Sequence, residues 1–431
     1  MTRLAPRLVL FFMVTPACGD DTSSASGTEG GASSGAAEGS STGEPQTSSS
    51  TGLETTSGGT STGEGSSSGG ADTSNSTGAE SSGSSGDDAS SSSSGGQAVW
   101  TAPDCATVTG TGAVTFTSDE GATLAPMDQQ LQPVTYTFGL VALGQPGRLV
   151  AASGDEILMS DDAGCTWAVI GQVEGGTPVL RGAGDTRAYG FVDNYPVLLR
   201  VDDDMVTPLT SPTAEGIVGL GVDPVDPDHL RLGDSAGQLW DSVDAGEHWI
   251  AQGVAAVAAP IVYRAFFDPA DIDHVIFGVA VQGAWVTTNA GAAWTQSTGF
   301  GAGNANVFNL SISGADPYLV WAEGYDLANL EDASARHVFR SEDGGLTFTA
   351  VVDADEAILY NGNHLFPHPT DPDVLYFVFG SNYEGYGTDI FRYDHGTETV
   401  TLTHNAWDDV AAIAFLPNDP SVMYFGLSVE P

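Results

Sequence analysis

"SVDAGEHW", residues Ser242 to Trp249, is the stretch that decides the fold, because close copies of it return along the chain. The clear copies are "SDDAGCTW" from Ser160, "TTNAGAAW" from Thr287 and "SEDGGLTF" from Ser341, and worn copies begin at Leu199 and Phe391. Similarity that recurs every few tens of residues is typical of a repeat architecture. The octets therefore predict a fold built from one repeated unit.

A second motif runs ahead of the octets: an apolar strand, a turn with Asp and Pro, and another apolar strand. Clear copies are "VGLGVDPVDPDHLRLG" from Val218, "RAFFDPADIDHVIFG" from Arg264, "LFPHPTDPDVLYFVFG" from Leu365 and "IAFLPNDPSVMYFG" from Ile413, with weaker ones from Val141, Val179 and Leu310. Pro presets φ for a turn, and the Asp carboxylate accepts backbone N–H groups within it. Each unit is thus predicted to hold four antiparallel strands, two around each motif.

The sequence has seven Asp-Pro motifs but only six octet positions. The two ends of the chain explain this difference. The last Asp-Pro pair of strands ends the sequence, while residues 106–118, "ATVTGTGAVTFTS", form a spare strand-rich piece before the first unit. Pairing that piece with Val422–Val429 would complete a seventh unit and hide exposed strand edges. We therefore expect an all-β, seven-bladed β-propeller of four-stranded antiparallel blades over residues 98–431, closed by pairing the N-terminal strand with the C-terminal blade.

The octets match the pattern Ser-x-Asp-x-Gly-x-x-Trp and resemble the Asp-box, or BNR, repeat of β-propellers such as sialidases, sortilin-type receptors and xyloglucanases. The resemblance covers about residues 106–431. It rests on the matching positions Ser160, Asp162, Gly164 and Trp167; Ser242, Asp244, Gly246 and Trp249; Thr287, Asn289, Gly291 and Trp294; and Ser341, Asp343, Gly345 and Phe348.

The octets are interpreted as structural rather than catalytic. A short carboxylate can accept the unpaired N–H groups of a tight turn, and Gly can take positive φ. Asn289 supports this interpretation, because an amide accepts the same hydrogen bonds but cannot act as a general acid or base. In the resembling propellers, ligands bind on the opposite face.

The N-terminus predicts export. Arg3 and Arg7 precede the apolar run Leu8–Val14, as in a secretory signal. The small residue before Cys18 resembles a bacterial lipoprotein signal, although Thr15 stands where that family usually has Leu. We expect a signal peptide over 1–17 and lipidation of Cys18 in the cell envelope or outer membrane; the alternative is an ordinary secreted protein.

Residues 18–97 are nearly all Ser, Gly, Thr and Ala with scattered acids. Such a segment cannot bury enough apolar surface to offset its ordering entropy, so it is predicted to be a disordered tether. The whole chain has 11 basic residues, all Arg, against 56 acidic ones, a formal charge of −45. This charge repels phosphate backbones and anionic lipids, which argues against nucleic acid binding and leaves only a lipid anchor for membrane contact. We expect a monomer.

Cys105 and Cys165 remain once Cys18 carries lipid. In an oxidising compartment they could form a disulfide, or they could stay as two unpaired thiols, since spacing alone does not decide between these.

Candidate ligand residues lie on the predicted face opposite the octets, in the loops of blades five to seven. They are Tyr325, Asp326, His364, Tyr383, Glu384, Tyr386, Trp407 and Asp408. Aromatic faces beside carboxylates suit sugars or peptides, whereas the competing interpretation is that these side chains only cover their own blade edges.

These features favour a surface-tethered, non-catalytic propeller that binds an extracellular polysaccharide, peptide or protein, or assists envelope assembly. The alternative is an extracellular glycoside hydrolase of xyloglucanase-like type, which needs two facing carboxylates. Sialidase activity is disfavoured, because Arg264 alone clearly sits at the start of an inner strand. No catalytic residue, metal ligand or cofactor is expected, with calcium on Asp326, Glu331 and Asp332 as a weak possibility.

Overall fold

The computed structural model describes residues 103, 105, 114–126, 139–255, 262–301, 305–329, 335–359, 364–381, 387–406 and 409–428. These residues form seven four-stranded antiparallel sheets in a ring, which confirms the predicted seven blades. Within the same residues, no helix is long and apolar enough to cross a membrane. The predicted signal peptide and tether, with Cys18, lie outside the described residues.

Blades 1 to 6 follow the chain, and the first strand of each is innermost. Blade 1 is β3 (Leu140–Ala142), β4 (Leu149–Ser153), β5 (Glu156–Ser160) and β6 (Ala168–Gln172); blade 2 is β7 (Pro178–Ala183), β8 (Arg187–Val192), β9 (Leu198–Asp202) and β10 (Met205–Leu209). Blade 3 is β11 (Ile217–Val222), β12 (Leu230–Asp234), β13 (Gln238–Ser242) and β14 (Ile250–Val254); blade 4 is β15 (Val262–Phe267), β16 (Val275–Val279), β17 (Gly283–Thr287) and β18 (Thr295–Gln296).

Blade 5 is β19 (Ala305–Ile312), β20 (Val320–Asp326), β21 (Arg336–Ser341) and β22 (Thr349–Asp353), with a 3-10 helix at Leu327–Asn329. Blade 6 is β23 (Leu365–Pro367), β24 (Val374–Ser381), β25 (Gly387–Asp394) and β26 (Thr399–Asn405). Blade 7 takes its inner strands from the C-terminal part, β27 (Asp409–Leu416) and β28 (Asp419–Ser428), and its outer strands from the N-terminal part, β1 (Val114–Thr117) and β2 (Ala125–Pro126).

The predicted pairing of N- and C-terminal segments is present in blade 7. Val114–Thr117 pair antiparallel with Met423–Gly426. The rest of the predicted N-terminal piece, residues 106–113, and Val429 lie outside the described residues. The two ends of the propeller sequence thus share one sheet.

Alternating strand direction gives the ring two distinct faces. The Asp-Pro turns between first and second strands and the octets between third and fourth strands share one face, called here the turn face. Loops between second and third strands, and those between blades, share the opposite face, called the loop face.

Each octet closes its turn with the same hydrogen bonds, as blade 3 shows. Ser242 Oγ donates to Asp244 Oδ1 at 3.0 Å and accepts the Gly246 N–H at 3.0 Å. The His248 N–H, followed by the His248 side chain, holds the pKa of Asp244 at about 2. Ala245 and Gly246 take positive φ of 60° and 85°. The residues that recur in the octet therefore form hydrogen bonds within the turn itself.

In blade 4 an amide does the work of the carboxylate. Asn289 Oδ1 accepts the Ala293 N–H at 2.9 Å and the Thr287 hydroxyl at 2.9 Å. The turn therefore requires a hydrogen-bond acceptor and not an acid, as the sequence of this octet indicates.

A further octet, "TSDEGATL" from Thr117 to Leu124, closes the outer turn of blade 7 and was missed in the sequence. Asp119 Oδ1 accepts the Thr123 N–H at 2.9 Å, and Thr117 Oγ1 accepts the Gly121 N–H at 3.1 Å. Leu124 replaces the closing aromatic residue, which hid the pattern. This turn identifies β1 and β2 as the third and fourth strands of a blade.

Apolar side chains pack between neighbouring blades. The cluster around Phe191, Leu198 and Leu230, for example, joins blades 2 and 3, and Trp249 of the blade 3 octet packs against it. The closing Trp therefore contributes buried area between two sheets as well as ending its own turn.

Polar contacts on the turn face link one blade to the next. They are Arg148 with Asp203 (blades 1 and 2), Arg187 with Asp228 (2 and 3), Arg231 with Asp273 (3 and 4), His274 with the Gly344 carbonyl (4 and 5), Arg340 with Asp373 (5 and 6) and Arg392 with Glu120 (6 and 7). We call these contacts the blade links. Five of the arginines in this strongly acidic chain take part in these links.

Cys105 and Cys165 form a disulfide, with Cα atoms 5.5 Å apart. Cys165 lies in the octet of blade 1, and Cys105 packs against the core that blade 7 shares with blade 1. The bond thus fastens the segment before β1 to blade 1 on the turn face.

Candidate functional site

The eight predicted ligand residues divide into two groups. Tyr325, Asp326 and His364 are described by the structure, whereas Tyr383, Glu384, Tyr386, Trp407 and Asp408 lie outside the described residues, as do Glu331 and Asp332. The described candidate residues therefore lie on the loop face at blades 5 and 6.

Tyr325 belongs to an aromatic surface at the loop-face ends of blades 4 and 5. Its ring stacks on Phe308 with centroids 5.8 Å apart, and Phe308 lies 4.9 Å from Tyr263. The Arg336 guanidinium lies 5.7 Å from the Tyr325 centroid, within cation–π range. All four side chains are partly exposed. We call this set the aromatic strip, and such a half-exposed, amphipathic strip suits contact with a protein or a sugar.

Asp326 follows Tyr325 in the chain, and its carboxylate bonds to the backbone of the next turn. Its side chain is buried, and Oδ1 accepts the Ala328 N–H at 2.9 Å where the 3-10 helix begins. The carboxylate therefore caps this turn.

The innermost strands of all seven blades line a central channel of about 720 Å³. This volume is in the range of small-molecule sites. His364, immediately before β23, lines it together with Arg181 of β7 and Arg264 of β15. Burial, then the charges of Arg264 and Arg181, lowers the pKa of His364 to about 3. The imidazole is consequently neutral at physiological pH.

Arg264 is paired across the loop face, while Arg181 is not. Arg264 lies 3.1 Å from Asp193, in the loop after β8, and burial raises the pKa of that carboxyl although Arg264 opposes the rise. Arg181 donates one hydrogen bond, to the Leu180 carbonyl at 3.0 Å, and has no carboxylate partner among the described residues. Burial and then the charge of Arg264 lower the pKa of Arg181 to about 10.

The presence of Arg181 in the channel corrects the expectation that Arg264 alone sits on an inner strand. Arg181 lies in the weak Asp-Pro copy from Val179, whose first strand becomes β7. Assigning that copy its innermost strand would have found the residue. Two arginines therefore line the channel.

The described acids that line the channel, Asp223 and Asp268, serve their Asp-Pro turns. Asp223 accepts the Val225 N–H at 2.8 Å, which is the main cause of its lowered pKa. Asp268 accepts the Ala270 N–H at 2.8 Å. A glycosidase needs one carboxyl that stays protonated opposite a second acid, and the lowered pKa of Asp223 is opposite to that requirement.

Comparison with known proteins gives one extended sequence relationship. The chain is 51% identical over 336 residues to a protein of Streptomyces mobaraensis named dispase autolysis-inducing protein, covering 76% of this chain and 90% of the relative. No family model matches the chain.

Among solved structures, YCF48 bound to a D1 peptide is 10% identical with a TM-score of 0.50, over 75% of this chain and 99% of that one. This likeness concerns the fold alone. The GH74 xyloglucanase from Xanthomonas campestris is 15% identical with a TM-score of 0.49, and the chain spans about half of it, 52%.

Proposed function

Because the chain belongs to the family of the dispase autolysis-inducing protein of Streptomyces mobaraensis, we propose that it is a non-catalytic propeller that binds a secreted protease and promotes its self-digestion. The observation that carries this proposal is 51% identity over 90% of that relative. This similarity extends over 76% of the chain. The octets, with their shared turn bonding, are inferred to be Asp-box repeats of this family's fold.

Binding alone is sufficient for this activity. A protein that binds an open, cleavable conformation of a protease more tightly than the closed one raises the open population by its differential affinity. The propeller then needs no catalytic group and no cofactor. The aromatic strip supports a protein partner, since half-exposed Tyr and Arg side chains are enriched in protein interfaces. Polysaccharide or peptide binding and envelope assembly are the other outcomes that a binding test can return.

The protease proposal predicts that an equimolar amount of this protein speeds the loss of intact dispase, followed by gel electrophoresis. A dispase variant without catalytic activity should stay intact, which shows that the propeller itself does not cleave. No acceleration with wild-type protein would refute the proposal. Release of reducing sugar from xyloglucan would instead favour the glycoside hydrolase.

The position of the interface can be tested with two tyrosines of blade 5. Tyr325→Ala removes the centre of the aromatic strip, whereas Tyr318→Ala alters an exposed side chain on the Asp-Pro turn of the same blade. We expect the first variant to slow dispase loss and the second to match wild type, with melting curves confirming that both fold. The reverse pattern would place the interface on the turn face.

We also propose that the protein is exported and held at the cell envelope by lipid on Cys18, as the signal-like N-terminus indicates. The composition of residues 18–97 gives a tether of roughly 50 Å end to end. Cys18→Ser should move the protein from the membrane fraction to the soluble fraction or medium. Thr15→Leu, which restores the usual lipoprotein residue, should keep it with membranes. Unchanged fractionation of Cys18→Ser would show that no lipid holds it.

A further inference from the structure

The use of arginine divides the described molecule into two regions. It contains nine of the chain's arginines and no lysine. Five of them form blade links, and Arg200 bonds the Ala245 carbonyl and Glu247 of the next blade. The other three, Arg181, Arg264 and Arg336, stand apart from the turn face. In a chain with a formal charge of −45, this small cationic group on the opposite side calls for a physical explanation.

Arg181 has the most donors to spare. A guanidinium carries five N–H donors, and Arg181 uses one of them on the Leu180 carbonyl. Although Arg181 lies deep within the ring, its side chain keeps exposed surface inside the channel. A neighbouring blade link such as Arg231, by contrast, contacts Asp241, Asp273 and the Ile272 carbonyl.

The surroundings of Arg181 add positive charge without neutralising it. Burial and then the charge of Arg264 lower the pKa values of both Arg181 and His364. Asp193 pairs with Arg264, and Arg181 has no carboxylate partner among the described residues. His364 stays neutral and can donate or accept one hydrogen bond.

An enclosed site of this composition favours one ligand chemistry. The acids of the described lining, Asp223 and Asp268, bond within their Asp-Pro turns on the turn face, whereas Arg181 has no carboxylate partner among the described residues, so the field around Arg181 favours an anion. The planar fork of a guanidinium matches the two oxygens of a carboxylate. A carboxylate also fits the size of the channel, which holds a side chain or a few residues of peptide.

We propose that the loop-face end of the channel is a carboxylate-binding site, in which Arg181 is the primary ligand and Arg264 and His364 assist. The proposal rests on the proposed function only for the source of the carboxylate, which would be a C-terminus or an acidic side chain of the protein partner. The site would anchor that partner at the axis, beside the aromatic strip.

The experiment titrates three peptides into the full chain by isothermal calorimetry at neutral pH and low salt. They are acetyl-Ala-Ala-Ala with a free C-terminus, the same peptide as its amide, and acetyl-Ala-Glu-Ala amide. We expect at least one carboxylate peptide to bind and the neutral amide not to bind. Which of the two binds identifies the source as C-terminus or side chain.

Variants connect the binding to the channel. Arg181→Gln should lower the affinity for the carboxylate peptide by about tenfold or more, and Arg181→Lys should lower that affinity less. Arg148→Gln, which removes the same charge from a blade link, should bind as wild type does. No binding by either carboxylate peptide up to about 10 mM, equal binding of the neutral amide, or unchanged binding by Arg181→Gln would each overturn the proposal.

The two proposals fail in distinguishable ways. If neither carboxylate peptide binds but wild-type protein still speeds dispase loss, the channel site is wrong and the proposed function stands. If the carboxylate peptides bind through Arg181 but dispase loss is not accelerated, the site stands and the protease partner is wrong.

Discussion

Removing residues 1–126 is expected to leave a chain that does not fold, whereas removing residues 1–102 should leave the melting temperature unchanged. The longer deletion takes away β1 and β2. It exposes the backbone edge of β28 and uncovers Tyr424 and Phe425, which are fully buried. An uncovered apolar edge strand is a template for aggregation. The readouts are soluble yield, size-exclusion elution and a cooperative melt by circular dichroism.

The longer deletion also removes Cys105, so its control is the double variant Cys105→Ser/Cys165→Ser. This control loses the disulfide but keeps β1 and the Arg392–Glu120 link. We expect it to fold with a lower melting temperature. A 127–431 chain that melts as cooperatively as the 103–431 chain would show that the N-terminal strands add little to blade 7.

Arg231→Met is expected to lower the free energy of unfolding by about 3–5 kcal/mol, because it leaves a buried carboxylate without its cation. The Arg231 and Asp241 side chains are only 4% and 8% exposed and lie 2.8 Å apart. The melting temperature should fall by on the order of 10 °C. Thermal and denaturant unfolding both measure this change.

Arg148→Met is the matched control, since its partners Asp161 and Asp203 are 60% and 70% exposed. Its loss should cost under about 1 kcal/mol. Adding Asp241→Asn to Arg231→Met should recover part of the stability, since it replaces a buried carboxylate that then keeps only its contact with His229. Equal losses for the two single variants would contradict a special role of the buried link.

The sequence predicts blade number and strand order well, because turn chemistry repeats locally: in the four clear octets, the hydroxyl at the first position accepts a backbone N–H four residues later. The blade links could not be predicted in this way. Arg392 and Glu120 are 272 positions apart, and only the folded ring brings them together. The octet from Thr117 escaped notice because Leu124 replaces the aromatic residue that anchors the pattern.

The candidate site could be predicted only in part, because the folded ring brings its residues together from distant parts of the sequence. His364 was found as a loop residue near the axis, and Tyr325 as a loop aromatic residue. Arg181 was missed because it belongs to a weak Asp-Pro copy. The sequence of that copy does not show which of its strands is innermost and lines the channel. The expectation that Arg264 alone clearly sits at the start of an inner strand therefore overlooked Arg181, because strand register rather than composition decides which side chains line the channel.

The disulfide has a geometric consequence for access to the partner surface. Because Cys165 lies in an octet, Cys105 is held on the turn face, the face opposite the aromatic strip. A large partner can then approach along the axis without steric conflict with the chain at Cys105. The disulfide therefore keeps Cys105 off the face that carries the aromatic strip.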